Sequence, residues 1–293
     1  MEKRVSQSDI FASRIFFNSA IPLLKVIIND TPSLKKKLAG KSFIFQISAL
    51  YNPETEADEE AKKFDKTFLG LKNGKLATHI IFENGDATVK PSEVCDNPTI
   101  ELCFSDIHKF VDFFAGRGTP LPKMKGVLSH LGIFIPLLKG LLTMAKLLGA
   151  KDAPKKASDQ VLAVKLFFYL LANGISQLNK LGHKDIHAFC EKSPDRAYAF
   201  AVTCYPELQS YIRVFAGNSK AGRGEYPRCK PFLTLRFDSP LHALDILMGK
   251  GDMIDYMANK YLTVEGAPEF AAIIGEYLFA VGDFATGLYL DNV

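Results

Sequence analysis

Alternation of apolar and polar positions marks strands along FIFQISAL, residues 43–50, and LATHIIFENGDATVK, residues 76–90, where the run turns at Asn84-Gly85. A later stretch repeats the pattern: AYAFAV over 197–202, then QSYIRVFAGNSKAGRG, with Gly217-Asn218 as its turn. Such dipeptides supply the positive φ that a tight hairpin needs. Apolar positions at helical spacing occur in SDIHKFVDFFAG and SPLHALDILMG. They also occur in two longer runs, LGIFIPLLKGLLTMAKLLG and VLAVKLFFYLLANGISQLNK. Each long run has one narrow polar stripe, formed by Lys139, Thr143 and Lys146 in the first and by Lys165, Tyr169, Asn173, Gln177 and Lys180 in the second. Arcs this apolar predict helices buried on most sides, and the polar interruptions argue against membrane spans.

The pattern is written twice. NPTIELCFSDIHKFVDFFAGRG, beginning at Asn97, aligns without a gap on KPFLTLRFDSPLHALDILMGKG, beginning at Lys230. Pro98 falls on Pro231, Phe104 on Phe237, Asp112 on Asp245, Gly116 on Gly249 and Gly118 on Gly251. Upstream, Phe45, Ile47 and Ala49 correspond to Tyr198, Phe200 and Val202, and Pro53-Glu54 to Pro206-Glu207. Each copy reads helix, strand, hairpin, strand, helix, strand, helix, which predicts an α+β fold: a largely antiparallel sheet backed by helices. The Lys-, Ala- and Pro-rich stretch GAKDAPKKASD separates domains at 1–150 and 151–293.

Composition narrows the function. With 23 Phe, no Trp and 47% hydrophobic residues, the chain has ample material for two cores. A net charge of +4 without a basic face argues against nucleic acid as partner, while lysines beside apolar surface leave room for peripheral contact with an anionic membrane. Five scattered cysteines without a CxxC predict reduced thiols and a cytoplasmic setting. Asn18, Ser19 and Lys25 interrupt the N-terminal apolar stretch, which predicts a helix rather than a leader.

Phosphate loops, HExxH, GxSxG and paired cysteine ligands are absent from the sequence. His183, His187 and Cys190 stand at i, i+4 and i+7, a spacing that could present three zinc ligands for metal-assisted chemistry. The first copy has PSLKKKLAG there, without ligands, so an amphipathic core stripe is the simpler reading and no metal or other cofactor is expected. His108 and His242 lie one register apart and predict surface or cap roles. Asp112 and Asp245 align near helix C-termini, where an acid opposes the dipole, so each is expected to fix its helix to the following loop through its side chain.

The order PTIELCFS or PFLTLRFD, then FFAGRG or ILMGKG, then VEGAPEFAAIIGEYLF resembles the sterol carrier protein domain (the type-two sterol-carrier fold), in two tandem copies covering roughly 32–148 and 184–290. In the first copy RGTPLPKMKG replaces the family's second short helix. The resemblance implies an apolar tunnel that binds or transfers a lipid or other hydrophobic small molecule without covalent catalysis. Candidate lining residues are Met248, Met253, Met257, Phe270, Ile273, Ile274, Tyr277 and Leu278 in the second copy, and Phe113, Phe114, Leu137 and Leu141 in the first. Ala272 is expected on the tunnel wall, and Val281 also points inward. An interaction module whose tunnels are filled by phenylalanine is the alternative.

Overall fold

The computed structural model describes residues 4–118 and 121–288. They form two compact units, one comprising the described residues up to 145 together with 284–288, the other residues 146–283, so the division falls in the last turn of a helix. The first runs α1 (Gln7–Ile15), a π-helical turn (Phe16–Ala20), α2 (Leu23–Asp30), α3 (Pro32–Leu38), β1 (Phe43–Leu50), α4 (Pro53–Glu56) and α5 (Lys66–Leu69). It continues with β2 (Lys75–Glu83), β3 (Asp86–Lys90), β4 (Ile100–Phe104), α6 (Ile107–Phe114), β5 (Lys123–Lys125) and α7 (Leu131–Leu148). Next come α8 (Ala157–Lys180), α9 (Lys184–Lys192), β6 (Arg196–Val202), β7 (Tyr205–Phe215) and β8 (Asn218–Arg223). The chain closes with β9 (Leu233–Phe237), α10 (Pro240–Leu247), α11 (Met253–Ala258), β10 (Leu262–Gly266) and α12 (Ala271–Thr286).

The fold is α+β, with two five-stranded sheets in one strand order: β3-β2-β1-β4-β5 and β8-β7-β6-β9-β10. In each, the pairing of the first strand with the fourth is parallel and the other pairings are antiparallel. The first hairpin turns at Asn84 and Gly85, both at positive φ; the second turns at Ala216 and Gly217, one residue earlier than its sequence suggests, because Asn218 already pairs with Phe215. Pro53-Glu54 opens α4, whereas Pro206-Glu207 lies within β7, so that correspondence is lost where the first unit inserts extra helices. Residues 253–258 form a short helix in the second unit, and the described part of RGTPLPKMKG forms none.

The likeness of the two units extends beyond the aligned sequence. Helical residues 7–30 lie on the first sheet and α8 on the second, each anchored by a matched side chain. Thr78 Oγ1 on β2 donates to the Phe17 carbonyl at 2.7 Å, and Ser210 Oγ on β7 donates to the Phe168 carbonyl at 3.2 Å. Aligned helix starts are capped alike: Asp106 accepts from the Lys109 amide and Ser239 from the His242 amide.

By length and composition, the helices over 7–30, 128–148 and 157–180 are each apolar enough to cross a membrane, contrary to the reading of their polar interruptions. Their settings differ. The apolar windows of the first and third are 94% and 72% buried within the protein, whereas that of the second is 33% buried, so α7 is not the enclosed helix its composition suggests.

Candidate ligand site

In the second unit, a 3-10 turn over Pro268–Phe270 leads into α12. That turn and the start of α12 meet an aromatic group: Phe270 lies 5.2 Å from Phe232 and 6.3 Å from both Tyr198 and Phe189, and Phe189 lies 5.4 Å from Tyr277 (ring centroids). Arg196 caps the group from above the Phe232 ring at 3.8 Å. Further along, α12 crosses α8, where a Cβ on Gly174 would stand 2.3 Å from Val281 Cγ1, so glycine is what lets the helices meet. Met253 approaches the middle of α12: its Sδ is 3.0 Å from where a Cβ on Gly275 would sit. Tyr256 fixes α11 to α10 by donating to Asp245 Oδ2 at 3.0 Å.

Ile274, Leu278 and Val281 are buried, as their spacing predicts. Phe270, Ile273, Tyr277, Met248 and Met253 are half-buried, and Met257 is exposed. Ala272 faces solvent and lines nothing, a correction that follows from its place opposite Ile274 around the helix. The four first-unit candidates are a separate group: Phe113 and Phe114 belong to a ring cluster, Leu137 is fully buried on α7 and Leu141 is half-buried there.

That cluster stands at the positions of Phe168, Phe237, Ala243 and Leu247 in the second unit, whereas Tyr198 and Phe232 correspond to Phe45 and Thr99. Phe17 stacks on Phe110 at 4.2 Å, and Phe16, Phe104 and Phe114 surround Phe110 at 5.0–6.0 Å. Phe113 joins Phe104 at 5.2 Å.

Tyr198, matched to Phe45 in sequence, is not among the expected lining residues. It is 0% exposed, and its hydroxyl has no hydrogen-bond partner. The signal was available: Tyr198 takes the register of Phe45, so an oxygen has been added at a core position. An unpaired buried hydroxyl costs about 1–3 kcal/mol. Nearby, burial pushes the Cys190 thiol up to about 12, and burial together with Cys190 and Asp185 pushes the Tyr277 phenol up to about 12. Neither ionises near neutral pH.

A second buried phenol without a partner, Tyr51, lies under a cleft of about 440 Å³ whose rim carries Asn52, Glu56 and Lys66. That cleft opens to solvent and lacks the aromatic enclosure of Tyr198.

The zinc spacing does not survive folding. His183 is the N-cap of α9 with extended ψ, so it leaves the helical face of His187 and Cys190. His187 Nδ1 instead meets Asn179 Oδ1 at 2.9 Å. Among the described residues no three His, Cys, Asp or Glu side chains are grouped to hold a metal. Asp112 binds Arg117 Nε at 2.8 Å, and with Asp245 on Tyr256 both aligned acids tie their helix to the segment after it. His108 faces Asp9 at 3.7 Å, and His242 Nδ1 meets Asp238 at 2.7 Å.

One polar constellation is buried in the first sheet. Glu101 Oε1 accepts from Gln46 at 3.0 Å, Ser48 at 2.7 Å and Lys75 at 2.9 Å, while Gln46 Oε1 accepts from the Cys95 amide of the covering loop. Burial alone would raise the Glu101 carboxyl, and the bonds from Lys75, Ser48 and Gln46 outweigh it, holding it below its ordinary value. The second unit has Ala199, Ala201 and Thr234 at the positions of Gln46, Ser48 and Glu101. The network is therefore a closed structural device of one unit.

No family model matches the chain, and no curated protein matches it. Among solved structures, the solution structure of a conserved hypothetical protein from Thermus thermophilus, named as a possible sterol carrier protein, is similar at 16% identity over 41% of this chain and 87% of that one, with a TM-score of 0.29. The crystal structure of sterol carrier protein 2 is similar at 14% identity over 41% of this chain and 97% of that one, also with a TM-score of 0.29. Likeness at that level carries no functional weight.

Proposed function

We propose that the chain is a non-catalytic carrier of a lipid or other largely apolar molecule, built from two sterol-carrier-like units in tandem. The second unit holds the ligand beneath α12. The buried Tyr198 hydroxyl, without a protein partner and among aromatic rings, carries this reading: it offers a hydrogen bond to a guest with a polar group at one end. Half-buried Met248, Met253, Phe270, Ile273 and Tyr277 supply adaptable apolar surface around it. The thiol and phenol beside them, Cys190 and Tyr277, are both raised rather than lowered, which fits binding without chemistry. The five free cysteines fit a reducing, cytoplasmic setting.

Magnitudes allow it. A long acyl chain gains on the order of 10 kcal/mol from burial before the losses of association, and micromolar affinity requires about 8 kcal/mol. Titrating the full chain with a fluorescent C18 fatty acid is expected to saturate at one molecule per chain in the micromolar range. Absence of saturable binding would dismiss the proposal.

The packed phenylalanines of the first unit favour a second reading for that unit alone. It serves as a filled interaction module, its interior packed by Phe16, Phe17, Phe104, Phe110, Phe113 and Phe114.

A further inference from the structure

The exposed face of α7 and its approach is apolar in a regular way. Leu128, Leu131, Ile135, Leu138 and Leu142 recur at alternating steps of three and four, forming one stripe, and all are exposed, Leu128 to 88% and Leu142 to 61%. Leu121 and Met124, just before the helix, are exposed as well. Soluble surfaces rarely present a contiguous apolar strip of this length without a partner.

Charge identifies the partner. No Asp or Glu stands between Asp112 and Asp152, while Arg117, Lys123, Lys125, Lys139, Lys146 and Lys151 do. Lys139 and Lys146 are exposed along one flank of the stripe, and Lys41 donates to the Gly132 carbonyl at 2.8 Å, placing a further cation at the start of α7. Two antiparallel copies of this helix would set lysines against lysines with no acid to relieve them, which disfavours self-pairing. The opposite face is already docked. Phe134, Leu137, Met144 and Leu147 are buried, and Gly140 brings the helix so close that a Cβ there would lie 2.7 Å from Leu24 Cδ1. A helix held along one side lies on a surface rather than crossing a bilayer.

We infer that the outer face of α7 docks on an anionic membrane surface, with the Leu/Ile stripe entering the acyl boundary and the flanking lysines meeting lipid phosphates and carboxylates. This docking does not require that the second unit hold a ligand. The test is co-sedimentation of the full chain with vesicles of phosphatidylcholine alone and of phosphatidylcholine with about 30% phosphatidylserine, at low and high salt. Wild type is expected to bind the phosphatidylserine vesicles at least about tenfold more tightly, with the preference fading in salt. Lys139→Gln with Lys146→Gln is expected to weaken that binding roughly twentyfold, at about fivefold per lysine. Ile135→Glu with Leu142→Glu is expected to abolish it at an unchanged melting temperature, since both positions are exposed. Equal binding to both vesicles, or binding unaffected by the glutamates, overturns the inference. So does a concentration-dependent dimer that the glutamates dissociate, which would assign the face to a second copy.

Discussion

Tyr198→Phe is expected to raise the melting temperature of the empty protein and, if the proposed site holds a fatty acid, to weaken that binding about tenfold. The two effects have opposite signs because one atom causes both. Removing an unpaired buried oxygen relieves about 1 kcal/mol in the ligand-free state, or about 2–4 °C for a protein of this size. The same removal deprives the guest of a hydrogen bond in an enclosed site, worth about 1.4 kcal/mol or a factor of ten. Differential scanning fluorimetry and fluorescent fatty-acid titration on the same samples read both. A stabilised variant with unchanged affinity would show that Tyr198 is only an imperfect core residue.

Glu101→Leu is expected to destabilise the protein by about 3 kcal/mol at pH 7, because it strands the Gln46, Ser48 and Lys75 donors that converge on one carboxylate oxygen. The pH dependence follows from the directions of the shifts. Glu101 titrates below its ordinary value once folded, so its contribution is present above the unfolded pKa of about 4.3 and is lost as pH falls through the folded value. Lys75 is raised, chiefly by its bond to Glu101, so its contribution is present below about 10.4 and is lost as pH rises through its folded value. Melting curves should therefore show the gap between wild type and Glu101→Leu at full size from about pH 5 to 9 and shrinking in acid. A gap as wide at pH 3 as at pH 7 would refute the electrostatic account. Fatty-acid affinity should not change, since the network belongs to the first unit.

Much of the architecture was legible because the chain states it twice. Period-two runs at Phe43–Leu50 and Arg196–Val202, capped helices after Asp106 and Ser239, and the aligned Asp112 and Asp245 each report local physics that neighbours do not override. The matched roles of residues 7–30 and α8 were hidden, since RIFF at 14–17 and KLFF at 165–168, whose last carbonyls Thr78 and Ser210 bond, are too short a match to read as a repeat. The site was legible in part. Helical spacing gave Ile274, Leu278 and Val281, but an apolar residue does not announce whether a partner covers it, and Ala272 and α7 were misplaced for that reason. Likewise, His183, His187 and Cys190 have helical spacing only if the helix includes all three, and it starts one residue too late. Nor could the sequence separate a packed interior from a tunnel wall, because phenylalanine suits both. Only the structure shows Phe110 packed against Phe16, Phe17, Phe104 and Phe114.

Photolabelling with a diazirine-bearing C18 fatty acid, followed by peptide mapping of the full chain, bears on the ligand site most directly. Adducts are expected on the peptides carrying Met248, Met253, Phe270, Ile273 and Tyr277, competed by unlabelled fatty acid and reduced in Tyr198→Phe. Competed labelling confined to the peptides of Phe104 to Phe114, or labelling that excess fatty acid leaves untouched, would contradict a guest beneath α12.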